Sequence, residues 1–177
     1  MTGLSTLLMA AEPTAGLKSG DSLAAFTVSK VGGAEDDGVS VGDKLCYRCK
    51  FQSRPMVLIF SRTEGDGLAK LSQSVDAALS KHSEKQLRGL VSMMAEDQKA
   101  ATAAAKNLVA SAKPKHLAVA VPADVQEGPK DYRIDPKSDI TIVLGNESTV
   151  FRTFTFSKDK IDHNVVLKSI EEMLKQG

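Results

Sequence analysis

Cys46 and Cys49 are the only two cysteines in this 177-residue chain, and their C-x-x-C spacing is the clearest chemical signal in it. Two thiols that close can form a disulfide with each other. The pair can then exchange with a partner: one thiolate attacks a partner disulfide and the other resolves the mixed disulfide. Lys44, Arg48, Lys50 and Arg54 place four cations within eleven residues around the pair. Positive charge lowers a thiol pKa and favours that attack. Two other chemistries stay open: an inert pair that closes a loop, or half of a metal site. A zinc site usually takes four protein ligands. The chain has no second C-x-x-C, and His82, His116 and His163 lack ligand spacing, so a metal would have to be shared across a dimer. A covalent haem would want C-x-x-C-H, and Lys50 stands where the His belongs. No cofactor is implied, and the metal question remains open at this point.

The remaining reactive side chains have plainer readings. Met93 and Met94 are adjacent on an expected strand and point to opposite faces, so they fit core packing better than one soft-metal site. The three histidines fall near element ends, where surface or capping roles are expected. Tyr47, inside the C-x-x-C, should shield the sulfurs or pack on a sheet. Asp66 is placed to cap the helix that follows.

The elements around the pair follow from apolar period and breakers. Residues 23–31 and 39–45, separated by the acidic turn 32–38, could pair as a hairpin; Val39 and Val41 alternate as in a strand. The run 55–61, PMVLIFS, is apolar throughout and reads as a strand buried on both faces. Leu68, Leu71, Val75, Ala78 and Leu79 then recur at helical spacing, with an end near His82. A second core strand covers 87–94. The Ala- and Lys-rich segment 96–113 predicts a helix stopped by Pro114, and a third strand covers 116–122. Residues 140–145 and 148–157 predict an antiparallel pair joined at Gly-Asn, with Phe154 and Phe156 on one face. A last helix from about Asp159 carries Val166, Ile170, Met173 and Leu174 on one stripe. Alternating strands and helices imply parallel pairing in the middle of the chain.

Composition sets outer bounds. Apolar residues make up 42% and charged residues 25%, ordinary for a globular domain with one core. Lys plus Arg is 23 against 22 Asp plus Glu, so nothing electrostatic points to nucleic acid or an anionic membrane. No apolar run approaches the ~20 residues of a bilayer span. Residues 1–19 have a short apolar stretch and small residues but no basic start, and read as a flexible tail or the remnant of an export signal. This favours an exported or periplasmic location over a cytoplasmic one. Residues 20–177 then form a single domain.

The order of elements resembles the thioredoxin-like fold, in the form with an N-terminal β extension found in peroxiredoxins and exported thiol-disulfide oxidoreductases. GDSLAAFTV (20–28) resembles the opening strand of that group, and RPMVLIFSR (54–62) the central strand leading to its active site. YRIDPKSDITIV (132–143) resembles the segment with its cis-proline, here Pro136, and the next strand. The resemblance implies an α/β fold, with a mixed sheet flanked by helices on both faces and an N-terminal β-hairpin extension. It also places the reactive cysteine after the central strand. This chain has Ser61-Arg62-Thr63-Glu64-Gly65-Asp66 there. Arg62, Thr63 and Glu64 are then either a replaced site or a solvated loop. Cys46 and Cys49 come before the strand, at the opposite edge. The expectation is a thioredoxin-like protein with a displaced C-x-x-C acting in thiol–disulfide exchange or redox sensing. Its partners would be protein thiols or disulfides. By analogy Cys46 would attack and Cys49 resolve. The alternative is a non-catalytic binding domain whose pair is structural or binds a metal.

Overall fold

A computed structural model describes residues 15–176. The central run forms β3 (Met56–Ser61), whose six residues are all buried. It sits inside a seven-stranded sheet of order β2-β1-β5-β4-β3-β6-β7. The neighbours are β1 (Val28–Gly33), β2 (Lys44–Leu45), β4 (Arg88–Met93), β5 (Ala118–Pro122), β6 (Ile140–Asn146) and β7 (Thr149–Phe156). β3 pairs parallel with β4, and β4 with β5; every other pairing is antiparallel. The expected mixed sheet is therefore present.

The two faces of β3 bury different things. Val57 and Ile59 join one apolar cluster with α2 (Asp66–Lys81), α3 (Gln98–Ala112) and α4 (His163–Lys175). Met56, Leu58 and Phe60 join another, which holds Leu17, Phe26, Tyr47, Phe51 and Tyr132. Helical cover is thus uneven. The three long helices share one face. The other is closed by α1 (Tyr47–Phe51), a 3-10 turn at Lys130–Tyr132 and coil. Aromatic packing replaces a long helix there: the Phe26 ring meets Tyr132 edge-on at 5.1 Å and Phe60 at 5.6 Å. Tyr132 Oη donates to Ala24 O at 2.9 Å, so its polar tip is satisfied inside an apolar layer. Met93 and Met94 fall into opposite clusters, as adjacent strand residues must.

Several boundaries move for identifiable reasons. The N-terminal hairpin forms, with Val28 opposite Leu45, but β2 has two residues only. Val39 and Val41 lie in the preceding loop, because the Lys30 ammonium takes the carbonyls of Ala34 (3.0 Å) and Val39 (2.9 Å) that a ladder would use. The second hairpin turns at Glu147-Ser148, both at positive φ, and not at Gly-Asn. Gly145 stays in β6: a Cβ there would lie 2.3 Å from Leu23 Cδ1, so the glycine makes room for packing. α2 is capped by Gly65 without a side-chain bond, and Asp66 is its first residue, not its cap. α4 begins at His163 and not near Asp159, with Asp162 capping it by accepting from Val165 N at 3.0 Å. Phe154 and Phe156 stack at 6.0 Å as their shared face predicts.

Of the expected N-terminal tail, residues 1–14 lie outside the described residues. Within 15–19, Leu17 is buried and Gly16 N donates to Arg133 O at 2.6 Å. No helix among the described residues is long and apolar enough to cross a membrane.

Candidate functional site

The cysteines bracket the first turn of α1, a helix too short for its period to show in the sequence. Cys46 is its N-cap and Cys49 lies in it. The two form a disulfide, with Cα atoms 5.2 Å apart. Cys49 is exposed and Cys46 half-buried. Cys46 Sγ accepts a hydrogen bond from Cys49 N at 3.0 Å, in the place a capping Ser or Asp oxygen would occupy. That bond favours negative charge on Cys46 when the disulfide opens.

A buried polar network holds α1 to the hairpin loop. Tyr47 is fully buried, its ring 5.6 Å from Phe51. Its hydroxyl donates to Asp37 Oδ2 at 2.5 Å. Asp37 Oδ1 accepts from Lys30 Nζ at 2.8 Å and from Val39 N at 2.8 Å. Lys30 is 4% exposed, and its three ammonium protons meet three acceptors. Burial alone would raise the Asp37 pKa, but the bonds from Lys30, Tyr47 and Val39 N and the Lys30 charge outweigh it and hold the carboxyl below its usual range. Burial first, then the bond to Asp37 and its charge, push Tyr47 far above an ordinary phenol. The network is satisfied in every part, so it fixes one geometry for the segment that carries the sulfurs. Sequence reasoning put Tyr47 against the sulfurs or the sheet and passed over Lys30 and Asp37. A signal existed: Lys30 is two residues from Val28, on the buried side of a period-two strand.

The four expected cations divide. Lys44 and Lys50 are exposed, and Lys50 directly follows Cys49. Arg48 is turned away, its Nε bound to Leu23 O at 2.8 Å. Arg54 Nε holds Gln86 Oε1 at 2.7 Å. Beside α1 lies a pocket of about 380 Å³ at the N-terminal ends of the parallel strands, with Lys50, Arg54, Arg88, Lys115 and His116 on its walls. Sequence analysis named His116 only as a histidine near an element end and passed over Arg88 and Lys115, because these residues come from separate parts of the chain.

The opposite end of the sheet looks different. Ser61 Oγ is tied to Thr63 O at 2.9 Å, Arg62 N to Asp139 O at 2.8 Å, and Arg62 Nη1 to Gln126 O. Glu64 Oε2 accepts from Asn107 Nδ2 at 2.9 Å. No described peptide bond is cis, so Pro136 is trans, and its segment forms a turn from Asp135 to Ser138. The three histidines are not gathered. His82 Nε2 lies 2.9 Å from Glu171 Oε1, His116 is exposed, and His163 opens α4. Among the described residues no group of three or more His, Cys, Asp or Glu could hold a metal ion.

No family model and no curated protein matches this sequence. Solved structures do. AhpC of Mycobacterium tuberculosis aligns at TM-score 0.66 and 10% identity, over 90% of this chain and 94% of that one. The reduced 2-Cys peroxiredoxin of Plasmodium vivax aligns at 0.65 and 16%, over 89% and 82%. A thiol:disulfide interchange protein from Bacteroides sp. aligns at 0.63 and 12%, over 90% and 91%. At such identities the likeness concerns fold. The chain has the thioredoxin-like fold, and it carries its C-x-x-C disulfide at the edge opposite the position that follows the central strand.

Proposed function

We propose that this protein is a thiol–disulfide exchange protein that works through Cys46 and Cys49. The observation that carries the proposal is a solvent-accessible disulfide on a one-turn helix held by a satisfied buried network. As a staple the bond stands at the low end of the disulfide range. In the chain-entropy account, cross-linking so short a loop adds only about 2 kcal/mol.

The exposures support an order of events opposite to the family analogy. An incoming partner thiolate attacks Cys49 Sγ, the Cys46–Cys49 bond breaks, and its electron pair leaves on Cys46. The Cys49 N–H and the nearby Lys50 favour that thiolate. A second partner thiolate then attacks the partner sulfur of the mixed disulfide. It releases Cys49 as thiolate and leaves the partner oxidised. Two electrons pass from two partner thiols to the protein disulfide; the reverse sequence reduces a partner disulfide. Cys49 is then the sulfur that meets the partner and Cys46 the one that resolves. Fold relatives described as a thiol:disulfide interchange protein and as peroxiredoxins are consistent with this chemistry, though the position after β3 has no cysteine.

Trapping tests it. Reduced Cys46→Ser protein, incubated with a protein disulfide, should accumulate a stable mixed disulfide through Cys49. The reduced Cys49→Ser protein should form it at least tenfold more slowly. Failure of both variants to form one would contradict the exchange reading. Faster trapping by Cys49→Ser would restore the order given by analogy.

A further inference from the structure

The pocket beside the disulfide has a chemistry that exchange alone does not require. Its inner wall includes Phe51, Leu79 and Leu87, and its rim carries Lys50, Arg54, Arg88 and Lys115. None of these four cations is in an ion pair among the described residues. The acidic residues on the same walls are Asp36 and Asp37, and the Asp37 charge is balanced by Lys30 at 2.8 Å. Positive charge is therefore in excess around a concavity with an apolar inner wall. Such a place concentrates anions. At about 380 Å³ the pocket is in the range of small-molecule sites.

The pocket and the disulfide share α1. Tyr47, Lys50 and Phe51 line the pocket, and Cys49 is bonded to Lys50 through one peptide. Lys50 N donates to Cys46 O at 3.0 Å, so the Lys50 backbone is tied to both cysteines, while its side chain is exposed. Neither cysteine lines the pocket; Lys50, the residue after Cys49, is the wall residue that joins the two.

We infer that this pocket selects the partner: it binds the carboxylates of a small anionic thiol, or of its disulfide, and presents the ligand's sulfur to Cys49. This rests on the exchange reading above. The reaction is the one already written, with two equivalents of small thiol oxidised to their disulfide as Cys46–Cys49 is reduced.

The experiment compares three thiols as reductants of the Cys46–Cys49 disulfide: mercaptosuccinate (two carboxylates), 2-mercaptoethanol (neutral) and cysteamine (cationic). Each rate is divided by that thiol's rate on a small uncharged disulfide, which removes differences in thiol pKa. At low salt the normalised rate for mercaptosuccinate should exceed that for 2-mercaptoethanol at least tenfold and saturate with concentration; cysteamine should be slowest. The Arg88→Glu and Lys115→Glu variants, changed at exposed sites, should lose most of the preference for mercaptosuccinate over 2-mercaptoethanol. Equal normalised rates, or a preference unchanged in both variants, would overturn the inference. So would a preference shown only by a Glu-rich cysteine peptide, which would assign the cations to a protein partner. If no thiol reduces the disulfide, the exchange reading fails by itself. Succinate titrated into the disulfide-bonded protein then decides the pocket: saturable shifts of the Gly89 and Lys115 amide resonances support it, and none contradict it.

Discussion

The two ends of the parallel strands in this sheet differ in what they leave accessible. At the C-terminal end of β3, where the family's reactive cysteine is expected, side chains are tied down: Ser61 to Thr63, Arg62 to Gln126, Glu64 to Asn107. Asp66 occupies the first turn of α2, so the favourable field of that helix end already faces a carboxylate. At the N-terminal end stand a disulfide with one exposed sulfur, cations without ion pairs among the described residues, and a pocket. Exchange needs an accessible sulfur and is helped by nearby positive charge, and both occur at the N-terminal end of β3. The fold supplies a rigid sheet, while a site depends on what the loops bring to one of its ends.

The largest expected effect that sharpens this contrast is on stability. Asp37→Ala leaves Lys30, 4% exposed, without its counter-charge and removes the acceptor of Tyr47. Breaking one partner from a buried ion pair typically costs about 3–5 kcal/mol. Urea unfolding should show a loss of that order, and α1 should become the first segment to exchange its amide protons. The same variant should flatten the acid limb of stability. The Asp37 pKa is lowered by folding, so its contribution is full above the unfolded carboxylate value of about 3.9 and is lost as pH falls through the lower folded value.

The next effect appears at high pH. The chain has two tyrosines, Tyr47 and Tyr132, and burial raises the pKa of both. A raised pKa gives stability that is complete below the unfolded phenol value of about 10 and declines above it. Absorbance titration at 295 nm should show no tyrosine ionising near pH 10 in the folded protein, and ionisation should coincide with unfolding at higher pH. A tyrosine that titrates near 10 while the protein stays folded would show that the Tyr47 network or the Tyr132 layer is open.

The smallest effect is at the other end. Glu64→Gln removes an exposed carboxylate while keeping an acceptor for Asn107. It should change stability by less than about 0.5 kcal/mol and the exchange rate of the Cys46–Cys49 pair by less than twofold. A tenfold change in exchange would return chemical importance to the position after β3.

Much of the fold is visible in local pattern. The uninterrupted apolar run of β3, the spacing along α2 and the alanine-rich α3 each bury what their period predicts. What local pattern misses is of two kinds. α1 has five residues, barely one turn and a half, so its apolar pair Tyr47 and Phe51 cannot display a period. The pocket and the Lys30–Asp37–Tyr47 network join residues far apart in sequence, and their partners are fixed only once β1 pairs with β5 and α1 packs on the sheet. The cysteines were legible as chemistry from spacing alone. Their order of action was not, because it depends on which sulfur faces solvent.

The most direct test of the displaced site is the reduction potential of the Cys46–Cys49 disulfide, measured in glutathione buffers by thiol labelling. A value between about −120 and −270 mV, the range of thiol–disulfide catalysts, is expected for an accessible pair whose leaving sulfur is stabilised by the Cys49 N–H and Lys50. A value below about −300 mV, where structural disulfides lie, would contradict the exchange function and make the pair a staple of the binding-domain kind.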